Sequence, residues 1–69
     1  MSDIPLTVNG EPREVPAATT LAEVVATLSR APSGVAAALN EAVVPRGAWG
    51  ATALSPGDRV EILTAVQGG

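Results

Sequence analysis

The sequence contains no cysteine and no histidine. The first absence removes any disulfide framework and any thiol nucleophile. The second removes the usual general base near neutral pH and the commonest metal ligand. Phenylalanine and tyrosine are also missing, which leaves Trp49 as the only aromatic residue. Lysine does not occur. The basic residues are four scattered arginines, Arg13, Arg30, Arg46 and Arg59, against a net charge of −3. They form no basic stripe, so the phosphate contacts that dominate nucleic-acid affinity have no source. No apolar run reaches the roughly 18 residues that a membrane span needs. The opening "MSDIPLTVNG" lacks the basic-then-apolar order of a signal peptide. These features lead to the expectation of a cytoplasmic protein with neither a nucleic-acid nor a membrane partner.

What remains is 69 residues, enough for one domain. An apolar fraction of 46% is too high for a disordered chain. Much of it is alanine, so the expected core is thin and aliphatic.

"IPLTV" alternates, with Ile4, Leu6 and Val8 on one face, and reads as a half-buried strand. Pro5 has no N–H and must sit where the ladder needs no donor. Asn9-Gly10 favours positive φ at both central turn positions and signals a hairpin. "EPREV" returns as a second strand, weakened by Pro12. "TLAEVVATLSR" starts at Thr20 with Glu23 three residues on, the spacing of a capping box. Leu21, Val24, Val25 and Leu28 recur at helical intervals, so the spacing predicts a helix over Leu21 to Arg30, ended by Pro32 and Gly34.

"VAAALN" reads as a short buried strand and "AVVPR" as another, with Asn40 and Glu41 at the turn between them. "GAWGATAL" reads as a loop with room for one helical turn. "SPGD" suits a type II turn, which makes Gly57 and Asp58 structural residues. "RVEILTAV" alternates again. Val60, Ile62 and Val66 share one face, and Arg59, Glu61 and Leu63 share the other. Trp49 is expected to fill the core and Arg46 to be solvated or locally paired. The order strand, strand, helix and three further strands implies one α+β layer pair, with a helix across one sheet face. The other face is left to solvent or a partner.

That order and length resemble the β-grasp arrangement of ubiquitin-like proteins, a single mixed sheet of about five strands with one helix packed across one face. The second half narrows the resemblance. "ALNEAVVPRGAW" followed by "TALSPGDRVEILTAVQGG" is similar to the small sulfur carrier proteins of thiamine biosynthesis, the ThiS family. The matching features are "LN", "VVPR", the tryptophan three residues later, "GD.VEI" and the final "GG". The first half matches by pattern alone.

The resemblance implies a division into a β-grasp domain, residues 1–65, and a flexible Gly-Gly tail, residues 66–69. It implies that a ThiF-like adenylating enzyme uses ATP and magnesium to adenylate the carboxylate of Gly69. A sulfur donor protein then supplies the atom that makes a thiocarboxylate, and a ThiG-like thiazole synthase receives it. Leu63, Val66, Gln67 and Gly68 would dock against these partners. The chain itself would bind no cofactor and no metal, and would be a monomeric co-substrate, not an enzyme.

The residues agree with a carried substrate. An α-carboxylate is ionised at pH 7 and is a poor electrophile, so it needs a leaving group. No G-x-x-x-x-G-K-[ST] loop is present to hold a nucleotide, so activation is assigned to another protein. Bare glycines suit passage into an enclosed site. The small subunit of molybdopterin synthase has the same fold and terminal chemistry and stands as the alternative. A carrier for another sulfur pathway, a conjugated modifier and a non-covalent ubiquitin-like module are the other readings.

Overall fold

The computed structural model describes residues 2–28 and 34–64. Five strands form one mixed sheet: β1 (Asp3–Val8), β2 (Glu11–Pro16), β3 (Val35–Leu39), β4 (Ala42–Val44) and β5 (Arg59–Thr64). One helix, α1 (Leu21–Leu28), covers a face of the sheet, and Arg46–Ala51 form a short 3-10 segment. The spatial order is β2-β1-β5-β3-β4. β5 runs parallel to β1 and antiparallel to β3, and both hairpins are antiparallel. This is the expected α+β β-grasp arrangement. Residues 29–33, with the last two positions of the expected helix and Pro32, lie outside the described residues.

Period-two patterning sends Ile4, Leu6 and Val8 inward from β1, and Val60 and Ile62 inward from β5. They meet Leu21, Val24 and Val25 on α1. The start of α1 closes by a reciprocal cap. The Thr20 N–H donates to Glu23 Oε1 at 2.8 Å, and the Glu23 N–H reaches Thr20 Oγ1 at 3.3 Å. The helix start is also tied to the segment before β5, because Leu21 N–H donates to Thr52 O and Leu54 N–H to Thr19 O. Trp49 is buried, as expected, and its Nε1–H donates to Val44 O at 2.8 Å. The Arg46 guanidinium carbon lies 5.4 Å from the centroid of that ring, a local cation–π contact. β3 departs from a fully buried strand: Ala37 is buried, whereas Ala36 is exposed.

The prolines fall where the backbone has no ladder donor to lose. β5 first pairs with β1 at Thr7↔Arg59, beyond Pro5. Pro5 contributes only its carbonyl on that side, accepting from Gly57 N–H at 2.7 Å. In β2, Ala17 N–H donates to Ser2 O, and the register Asp3↔Pro16 follows. Antiparallel alternation then turns the backbone of Pro12, Glu14 and Pro16 toward the open edge. Glu14 therefore supplies the single outward N–H among β2 residues 12, 14 and 16. The other edge strand, β4, is three residues long. Both edges are thus poor templates for adding another copy.

Candidate functional site

β5 is the strand that leads into the terminal glycines, and it sits in the middle of the sheet. Two hairpin turns clasp it. Asn9 and Gly10 have φ of 52° and 83°, and Asn40 and Glu41 have φ of 52° and 73°. Positive φ at both central positions is the hairpin geometry that matches strand twist. It also frees each asparagine side chain to reach across to β5. Asn9 Oδ1 accepts the Ile62 N–H at 2.8 Å, and Asn40 Oδ1 accepts the Arg59 N–H at 2.9 Å. Each turn thus extends its strand's hydrogen bonding to β5 by one side-chain bond.

Asp58 secures the start of β5. Its Oδ1 accepts from Asn40 Nδ2 at 3.1 Å and its Oδ2 accepts the Ser55 N–H at 2.8 Å. Gly57 has φ of 85°, as the third position of the expected type II turn requires. Arg59 pairs with Glu41 at 3.0 Å, an exposed ion pair worth about 0–1 kcal/mol.

The sheet face away from α1 carries an apolar patch. Leu63 is 69% exposed and Val43 78% exposed. The register places Leu63 beside Ala36 and Val43 beside Ala38. The four side chains therefore share one face and form a continuous apolar band across β5, β3 and β4. Leu63 was expected on this face. Val43 was not singled out, because in "AVV" either valine can face outward, and only the pairing with β3 decides. Of the other expected docking and reacting residues, Val66, Gln67, Gly68 and Gly69 lie outside the described residues.

Among the described residues, no three acidic, cysteine or histidine side chains converge on a point that could hold a metal. Among the described residues, no helix is long and apolar enough to cross a membrane. A groove lies between β2 and α1, lined by Arg13, Val15, Thr19, Glu23 and Leu28 among others. It is remote in sequence from the terminal glycines.

The comparisons with known proteins agree with this geometry. The ThiS family model matches residues 6–69. The crystal structure of the thiamine biosynthesis protein ThiS from Geobacter metallireducens is 38% identical, with a TM-score of 0.75, covering 96% of this chain and 100% of that one. The solution structure of a thiamine biosynthesis protein from the same organism is also 38% identical, with a TM-score of 0.76, covering 96% of this chain and 88% of that one. A thiazole synthase of Magnetococcus marinus is 43% identical over 61 residues, 88% of this chain. The chain spans only 19% of that relative's length. The family model covers both asparagine clasps, the outward Leu63 and the glycine pair, and the chain belongs to the ThiS family of small sulfur carrier proteins.

Proposed function

We propose that this chain carries sulfur for thiazole formation in thiamine biosynthesis, as a thiocarboxylate on Gly69. The observation that carries the reading is the family match, which runs through the glycine pair to residue 69. In the first step a Gly69 carboxylate oxygen attacks the α-phosphorus of ATP, and pyrophosphate leaves. Magnesium, held with ATP by the adenylating partner, offsets the phosphate charge. In the second step a hydrosulfide equivalent from a sulfur donor protein adds to the carbonyl carbon and AMP leaves. The thiocarboxylate then gives its sulfur to a thiazole synthase. A segment similar to this chain lies within a protein that is itself named a thiazole synthase, which supports that recipient.

The chain's own contribution is presentation. Gly68 and Gly69 have no side chain to obstruct a narrow channel. Gln67, Val66 and the exposed Leu63 would contact the partner beside it, and the band through Ala36 and Val43 enlarges that surface. The chain acts as a cytoplasmic co-substrate, monomeric when free; the blunted sheet edges support the last point.

The test is the intact mass of the protein isolated from its native host. The expected result is a species in which one oxygen has been replaced by sulfur, mapped to Gly69 by fragmentation. Isolation only as the unmodified carboxylate, under conditions where the host makes thiamine, would overturn the reading.

A further inference from the structure

The ladder between β1 and β5 stops at Val8↔Val60, while β5 continues to Thr64. The even-numbered residues of β5 turn their backbone toward the β1 side. The Asn9 N–H donates to Val60 O, and the Ile62 N–H is taken by Asn9 Oδ1. A parallel ladder would have used the main-chain carbonyl of Asn9 for that second bond. Its backbone has turned away with φ of 52°, and the side-chain oxygen stands in. One step further along, Ile62 C=O and Thr64 N–H face the same side beyond the end of the ladder. On the β3 side the pairing continues to Val35↔Thr64, so among the described residues the end of β5 is laddered on the β3 side alone.

We propose that this half-open stretch of β5 is a strand-addition site, and that its occupant is an extended segment of the protein that adenylates Gly69. One residue of a parallel segment satisfies both groups, donating its N–H to Ile62 O and accepting the Thr64 N–H. Gly69, the residue loaded in the sulfur-carrier reading, lies five positions beyond Thr64, a reach of about 17 Å when extended. Any protein holding the terminal carboxylate is therefore within reach of this edge. Strand addition fixes the direction in which β5 points, which in-line attack on ATP requires. Elsewhere the outer edges are closed to addition by Pro12 and Pro16 on β2 and by the brevity of β4. The inference rests on the sulfur-carrier reading and adds the mode of docking to it.

The test compares wild type, Thr64→Ala and Thr64→Pro, each with the host's purified adenylating protein, ATP and magnesium. Proline removes the Thr64 N–H and leaves the β3 ladder, which uses the odd-numbered residues, intact. Circular dichroism and thermal melting check the fold of each variant. The expected result is that Thr64→Ala is adenylated like wild type, while Thr64→Pro binds about tenfold or more weakly, as for loss of one well-formed hydrogen bond and its register. By hydrogen exchange, the Thr64 amide of the free chain exchanges much faster than that of Leu63 and becomes protected in the complex. A folded Thr64→Pro that binds and reacts like wild type overturns the inference and leaves the sulfur-carrier reading standing. Protection of Thr64 by self-association, or by a thiazole synthase but not the adenylating protein, overturns it as well. A wild-type chain that is never adenylated sinks the underlying reading instead.

Discussion

The side-chain oxygen of Asn9 accepts the backbone N–H of Ile62 at 2.8 Å, across 53 positions of sequence. The same residue makes the first hairpin turn and extends the central parallel pairing. Its two roles are separable. Asn9→Gly keeps the positive φ and loses the bond, and is expected to cost about 1 kcal/mol. Asn9→Ala loses the bond and keeps a Cβ in the left-handed region without the polar side chain that tolerates it, so it is expected to cost about 1 kcal/mol more than Asn9→Gly. Chemical denaturation of both variants measures the difference, and equal costs would deny the backbone role.

Ala18 holds φ of 71° at the third position of the turn closed by Thr19 N–H to Pro16 O at 3.1 Å. A type II turn asks for glycine there. Ala18→Gly is expected to stabilise the protein by about 1 kcal/mol, the strain removed less the extra entropy of the unfolded chain. A rise in melting temperature is the readout.

Thr20 and Glu23 share the helix cap. Thr20→Ala removes the hydroxyl that accepts from Glu23 N–H, leaving that donor only the Thr20 carbonyl at 3.1 Å, and is expected to cost about 1 kcal/mol. Combining it with Glu23→Ala should cost less than the sum of the two single changes, because each bond supports the other. A double-mutant cycle by urea unfolding reads this coupling.

Val43 and Leu63 are the large side chains of the apolar band. Being exposed, Val43→Asp and Leu63→Asp should each change stability by no more than about 0.5 kcal/mol. If the band docks a partner, thiocarboxylate formation in the host should fall about tenfold or more. Unchanged formation would remove the band from the docking surface.

The terminal chemistry predicts a sharper effect. One alanine appended beyond Gly69, or Gly68→Val, should leave melting unchanged and abolish sulfur loading. Intact mass after growth in the native host reads both outcomes. Loading of the extended chain would place the reactive carbonyl elsewhere.

Local chemistry made several of these features legible before any coordinates. Asn9-Gly10, the Thr20 and Glu23 spacing, the alternation in β1 and β5 and the Pro56-Gly57 turn each follow from what one short segment can do. Two features depended on segments far apart in sequence, and a third, the local turn at Ala18, lacked the glycine that would have marked it. Asn9 and Asn40 reach β5 only because the topology sets a hairpin on either side of it. The outward face of Val43 is decided by register with β3. Ala18 carries its positive φ without glycine, because Thr19 and Pro16 close the turn around it. Residues 65–69 lie outside the described residues, and the role proposed for them rests on resemblance to a family and on the chemistry of a free carboxylate.

The central place of β5 also bears on biogenesis. The β2-β1 pair and the β3-β4 pair have no shared ladder until this strand inserts between them. In chain order it follows the other four described strands, so the strand that joins the two hairpins is made after both of them. Completion of the sheet is therefore one late, non-local event, and under the proposed function a partner that recognises the finished strand would discriminate against immature chains.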